Sequence, residues 1–125
     1  EAARTAQPRM ATELMVAYAY DYINRVNPMG FFGMVYVLES TSVMLASRGA
    51  GAVQQALELP PTAFRYLTSH GALDQEHMKF FESLMEKVML EADKQAIVQV
   101  AQRMFVLFAD VFRSIPHQRG APRAA

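Results

Sequence analysis

The sequence predicts an all-α fold, a helical bundle, and two observations carry this prediction. Large apolar residues recur at spacings of three and four along four separate stretches. No stretch alternates apolar and polar residues for long, and no Asn-Gly or Asp-Gly pair marks a hairpin turn. The length of 125 residues fits one domain. We therefore expect a single helical domain over residues 1–115.

The first two helices are predicted on either side of Pro28. The first covers residues 9–26, where apolar side chains follow helical spacing. The second covers residues 29–47, and the Gly-Ala-Gly run at 49–51 should break it. A short further turn of helix is expected to continue through Leu57.

The third and fourth helices fill most of the second half of the chain. Thr62 is a suitable N-cap for the third, which should extend to about Leu90 although Gly71 weakens its middle. The fourth is expected from about Asp93 until just before Pro116. Its apolar residues cover more than one stripe, so we expect it to be buried on two sides or to contact another subunit.

Composition excludes several classes of function. The chain has no cysteine, which rules out disulfides, zinc-thiolate sites and thiol nucleophiles, so nitrogen and oxygen must hold any metal. Twelve basic residues balance twelve acidic ones without a basic stripe, so no nucleic-acid partner is expected. Glu39 lies within the weakly charged stretch 26–47, which favours a buried core helix over a membrane span.

The ends of the chain also carry expectations. The start, EAARTAQPRM, lacks the apolar region of a signal peptide, so we expect a cytoplasmic protein. Its first residue is Glu rather than Met, which suggests a processed, cut or partial version of a longer reading frame. Residues 116–125 are rich in Gly, Pro, Ala and Arg and are expected to be a disordered tail.

Three polar residues share one face of the third predicted helix, within the segment YLTSHGALDQEHMKFF. His70, Asp74 and His77 are offset by four and three residues, which places them within roughly 60° of one another at about 100° per residue. A carboxylate buried between two imidazoles is costly unless it is paired or coordinated. The pattern therefore favours a metal site, and a hydrogen-bonded Asp-His pair or a solvated face are the alternatives.

Glu39 gives independent support for a metal site. It is the only charged residue between Arg25 and Arg48, and its helical neighbours are apolar or aromatic. We therefore expect Glu39 to project from a core face towards a partner on another helix. A structural Glu, hydrogen-bonded to a Tyr, Ser or Thr, is the alternative.

Two imidazoles and two carboxylates without sulfur are typical ligands of non-haem iron, with manganese as a second candidate. Tyr36 and Tyr66 fall on the faces that carry these residues. Either tyrosine could hydrogen-bond a ligand of the site or lie next to an activated oxygen species, so both are candidate catalytic residues.

The sequence resembles the haem-oxygenase-like diiron oxidases and oxygenases, often called iron-containing redox enzymes. Three segments carry the resemblance, which covers roughly residues 27–115: NPMGFFGMVYVLESTSV, the His-x3-Asp-x2-His segment quoted above, and DKQAIVQVAQRMFVLFADVFRSI. It implies a bundle like that of haem oxygenase, with iron where haem oxygenase holds haem. Members activate dioxygen at one or two irons to oxidise small organic substrates. Carried over by position, the iron ligands are Glu39, His70, Asp74 and His77.

The chain departs from this family in length. Family members are typically longer, and their first half supplies a further carboxylate and a further histidine to the metal site. Glu13 and Asp21 precede Glu39 here, but no histidine does. We therefore expect either a homodimer or a bundle completed by a missing N-terminal half, unless one iron is held by the two histidines and a carboxylate. A helical interaction protein without a functional metal site is the alternative function.

Overall fold

The computed structural model describes residues 5–116, without the side chains at 46, 47, 67, 68, 70–72 and 75. Four α-helices lie between residues 10 and 113: α1 (Met10–Asp21), α2 (Gly30–Leu57), α3 (Arg65–Met85) and α4 (Glu91–Arg113). A π-helical turn, Tyr22–Val26, continues α1, and a 3-10 turn, Pro61–Phe64, precedes α3. No strand occurs in residues 5–116, which confirms the all-α fold class. The predicted tail falls almost entirely at 117–125, outside the described residues.

The predicted break in the second helix is wrong. Helix α2 continues through residues 49–51, and it ends only where Glu58 takes the left-handed conformation, with φ 53°. A glycine in a helix costs about 1 kcal/mol relative to alanine, which packing along the helix can outweigh. The helix instead bends by 49° between its parts Gly30–Leu45 and Arg48–Leu57, just before the glycines.

The predicted start of the third helix is also wrong. Thr62 lies inside the 3-10 turn, and α3 has Phe64 at its N-cap position. Pro61 suits the first position of a helical turn because it has no N–H to leave unpaired. The buried ring of Phe64 holds this turn against the helices, and α3 ends at Met85 rather than near 90. The first and fourth helices agree with their predicted bounds to within a few residues.

Helix α2 lies between α3 and α4, the two helices that it contacts most. Helix α1 packs mainly on α4, and two hydrogen bonds show that these helices are antiparallel. The Arg9 guanidinium donates to the Ser114 carbonyl oxygen at 2.6 Å, and the Asn27 amide donates to the Asp93 carboxylate at 2.9 Å. The start and end of α1 are thereby tied to opposite ends of α4.

The backbones of α2 and α4 approach each other closely at a glycine. A Cβ atom at Gly33 would collide with the carbonyl oxygen of Ile97 and would lie 2.8 Å from the amide nitrogen of Ala101. Glycine therefore permits the close contact of these two parallel helices. The main core surrounds this contact and consists of Ala19, Tyr22, Val37, Ala96, Val100 and Met104.

Helix α4 packs against both α1 and α2, as expected for burial on two sides, and still leaves large apolar side chains exposed. Phe105, Val106 and Phe112 are all exposed in the isolated chain. By length and composition alone, α4 is apolar enough to cross a membrane. The core helices of many globular proteins pass the same test, so this property is weak evidence for a membrane span. The expectation of no membrane partner stays a prediction.

Candidate metal centre

The antiparallel contact of α2 and α3 brings three of the predicted ligands together. The Nδ1 atom of His77 lies 3.4 Å from Oε2 of Glu39 and 3.7 Å from Oδ1 of Asp74. The three side chains offer one ligand atom each within 4.8 Å of one another. No other group of three such side chains occurs in the part of the chain that the structure describes.

Aromatic packing next to this cluster sets the register between the two helices. The ring of Phe81, on α3, is buried. Its centroid lies 6.3 Å from the ring centroid of Phe32 and 5.8 Å from that of Tyr36, both on α2. Since the helices run antiparallel, this pairing places the next turn of α2, with Glu39, opposite the preceding turns of α3. The aromatic contacts thus position the carboxylate of one helix against the ligands of the other.

The cluster is closed on one side and open on the other. The side chain of Asp74 is 7% exposed, that of Glu39 30% and that of His77 58%. Water therefore reaches the cluster mainly past His77. Asp74 is also the one charged residue among the buried side chains of the described chain. A buried carboxylate beside a second carboxylate favours a cation between them.

The distances within the cluster are compatible with a shared cation. The separation of 3.7 Å between His77 and Asp74 is too long for the Asp-His hydrogen bond considered as an alternative, and the 3.4 Å contact of His77 with Glu39 is weak. Two ligands that each lie about 2.1 Å from one ion are at most about 4.2 Å apart. Small side-chain rotations would therefore let Glu39, Asp74 and His77 hold a single cation.

The other predicted site residues lie at different distances from the cluster. The backbone of His70 is in α3, one turn before Asp74, but its side chain lies outside the described part of the structure. Tyr36 is one turn before Glu39 and packs on Phe81. Tyr66 is exposed at the start of α3, two turns before Asp74. The catalytic roles expected for the two tyrosines stay predictions.

Sequence spacing did not indicate how open the site is. The apolar neighbours of His77 in the sequence suggested a buried stripe, whereas the imidazole is more than half exposed. The structure shows why: α3 contacts α2 along the side that carries Asp74 and Phe81, and His77 lies at the border of that contact.

Comparison with known proteins agrees with this chemistry. The searches of curated proteins and of solved structures found no match. A family model described as "iron-containing redox enzyme" matches residues 1–109, a range that includes every residue of the cluster. Because that match covers most of its length, the chain belongs to the family of iron-containing redox enzymes.

Proposed function

We propose that this chain binds non-haem iron at the α2–α3 cluster and activates dioxygen to oxidise a small organic substrate. The observation that carries the proposal is the convergence of Glu39, Asp74 and His77 in a member of an iron-containing redox family. Iron bound there would supply the redox chemistry that dioxygen needs in order to react with a closed-shell organic molecule. One or two irons fit the proposal, and manganese could replace iron at such nitrogen and oxygen ligands.

The three side chains would have different tasks. Asp74 is held between the helices and would bind the cation at a fixed position. Glu39 comes from the facing helix and is partly exposed, so its carboxylate can turn towards the cation. His77 would bind through Nδ1, the ring atom that faces both carboxylates. His70, one turn before Asp74, is proposed as a fourth ligand.

The approach to the site follows from its burial. The rings of Phe32, Tyr36 and Phe81 pack together along the α2–α3 contact on one side of the site. The side of His77 is open, so substrate and dioxygen would enter there. Three protein ligands, or four with His70, would still leave coordination positions free, as in other sites that use iron to activate oxygen.

Metal binding tests the proposal directly. Metal-free protein is loaded anaerobically with Fe²⁺ or Mn²⁺, the excess is removed, and the retained metal is measured per chain. We expect the native protein to retain iron, and we expect Asp74→Asn and Glu39→Gln to weaken iron binding by at least about 10–100-fold. Oxygen consumption by the loaded protein with a reductant then tests the redox step.

Two surface carboxylates provide matched controls. On the exposed surface Asp110 pairs with Arg113, and Glu76 pairs with Lys79. The variants Asp110→Asn and Glu76→Gln should therefore bind iron as the native protein does. If the native protein retained neither metal, and Asp74→Asn changed nothing, the proposal would be wrong. The many exposed apolar side chains would then favour the alternative, a helical interaction protein.

A further inference from the structure

Helix α4 carries a regular stripe of exposed apolar side chains. Val98, Phe105 and Phe112 are 55%, 56% and 51% exposed, and they are separated by seven residues each. A further apolar residue follows each of them after three positions, which is the repeat along which helices pair. The charged residues of this stretch, Arg103 and Asp110, fall about 140–160° away from Phe105 around the helix. We refer to Val98, Phe105 and Phe112 as the α4 seam.

An open groove between α2 and α4 adjoins this seam. It has a volume of about 350 Å³, and its wall includes Phe105 and Phe112 of α4 and Met44 and Leu45 of α2. Among the described residues that line it, Thr41 alone has a polar side chain, and its hydroxyl already donates to a carbonyl oxygen of its own helix at 2.6 Å. A site for a small molecule usually holds a few polar groups that orient the ligand. The groove therefore fits the apolar side chains of a protein better than it fits a small molecule.

The chain exposes enough surface for a stable dimer. Its accessible surface is 9793 Å², whereas a folded monomer of 14.0 kDa exposes about 6,700 Å². Full exposure of the 13 residues outside the described range would account for about 2,000 Å² of the difference. About 1,600 Å² of excess then belongs to the described residues, for which a compact monomer would expose about 6,200 Å². Obligate dimers bury about 1,000–2,500 Å² on each subunit, so one such interface would remove an area of this size.

A second copy is a better cover for the seam than the remaining parts of this chain. Residues 1–4 and 117–125 contain no large aliphatic residue, no Phe and no Tyr, so they have little apolar surface to place in the groove. A second copy presents the same seam, and a twofold interface uses the same patch on both subunits. The net charge of zero gives no overall repulsion between two copies.

We propose that a second copy of this chain docks on the α4 seam about a twofold axis, so that the seam of each copy covers the groove of the other. This interface is separate from the candidate metal centre. Val37 and Thr41, two residues before and after Glu39, contact α4, which places Glu39 on the opposite side of α2. Docking on the seam therefore leaves the cluster outside the interface, and the dimer needs no metal.

The mass of the protein in solution tests the interface. Sedimentation of the native chain at micromolar concentration should give a dimer. Phe105→Glu and Phe112→Glu should raise the dissociation constant of the dimer by at least about 100-fold, since each change would bury an unpaired carboxylate. Phe80→Glu is the matched control, because Phe80 is 64% exposed on α3 and its loss should leave the dimer intact. Circular dichroism shows whether each variant remains helical.

Thiol labelling tests the same surface without adding a charge. The chain has no cysteine, so a single introduced thiol is the only one that can react. Gln102 is exposed one turn before Phe105. In Gln102→Cys the thiol should react with a maleimide at least about 10-fold more slowly at concentrations that favour the dimer than at high dilution, because buried thiols are inert. In Glu76→Cys, on the exposed surface of α3, the thiol should react equally fast at both concentrations.

Four results would overturn the proposal. They are a native monomer, a dimer that survives both Phe105→Glu and Phe112→Glu, a Phe80→Glu variant that dissociates as those two do, and a Gln102→Cys thiol that reacts at one rate at every concentration. A dimer that depends on the seam but retains no iron would support the docking surface and would overturn the proposed function alone.

Discussion

Asp74 is the residue on which the proposed metal centre would depend most, because water reaches its carboxylate least. A buried carboxylate that loses its cation or its partner is costly, whereas the more exposed Glu39 and His77 can be solvated.

A second buried polar group lies at the opposite side of the molecule. The Tyr18 hydroxyl is buried between α1 and α4 and makes no hydrogen bond with any described residue. Burial, and then the nearby Tyr22, raise the pKa of Tyr18.

Tyr18→Phe should therefore change the stability of the protein at alkaline pH. Since the folded state raises the pKa of Tyr18, it keeps the phenolic proton at a pH where the unfolded chain has lost it. The native protein should lose stability as the pH rises above about 10, and the variant should lose less. At neutral pH the variant should be as stable or more stable by up to about 1 kcal/mol.

Urea unfolding at pH 7 to 11 measures this difference. Tyr20→Phe is the control, because Tyr20 lies on the exposed side of the same helix. An equal alkaline loss of stability in the native protein and in Tyr18→Phe would contradict the expectation.

At the scale of elements, the contacts between helices decide which glycines matter. Gly33 and Gly49 lie in the same helix and cannot be told apart by helix propensity alone. Gly33 faces the backbone of α4 at the closest approach of the two helices, whereas nothing lies within 4 Å of a Cβ at Gly49. The two positions should therefore respond to alanine in opposite directions.

Gly33→Ala should lower the free energy of unfolding by about 1–3 kcal/mol, because the added methyl group forces α2 away from α4. Gly49→Ala should raise it by about 0.5–1 kcal/mol, since alanine costs less backbone entropy in a helix. Chemical denaturation of both variants against the native protein measures the two changes. A similar change of the same sign in both would show that α2 and α4 do not approach as closely as described.

At the scale of the whole molecule, metal binding at the proposed site would be coupled to folding. The ligands of the cluster come from two helices, so the site forms only when α2 and α3 are packed together. A cation that binds this arrangement and not the unfolded chain must stabilise the fold.

Iron at about 100 times its dissociation constant should raise the free energy of unfolding by about 2.7 kcal/mol, provided that the unfolded chain binds none. For a chain of this size the midpoint of thermal unfolding should rise by roughly 10 °C under anaerobic conditions. A chelator should reverse the rise, and Asp74→Asn should show little of it. An iron-independent midpoint in the native protein would contradict a site shared between α2 and α3.

Much of the fold could be predicted from the sequence because its signals are local. Apolar spacing indicated the four helices, and the prolines at 28 and 60–61 indicated where the chain leaves them. The break expected at residues 49–51 and the cap expected at Thr62 were wrong. In the first case a weak local preference of glycine for non-helical conformations did not end the helix. In the second, Pro61 and the buried Phe64 decided where the helix begins.

The sequence alone determined that Asp74 and His77 are candidate ligands on one side of a helix, since residue type and helical spacing are enough for that prediction. Only the tertiary structure decided that Glu39 lies against them, because the antiparallel register of α2 and α3 depends on the packing of Phe81 between Phe32 and Tyr36. Only the structure decided, too, that His77 is exposed while Asp74 is buried. Burial depends on which side of α3 meets α2, and no spacing within a single helix contains that information.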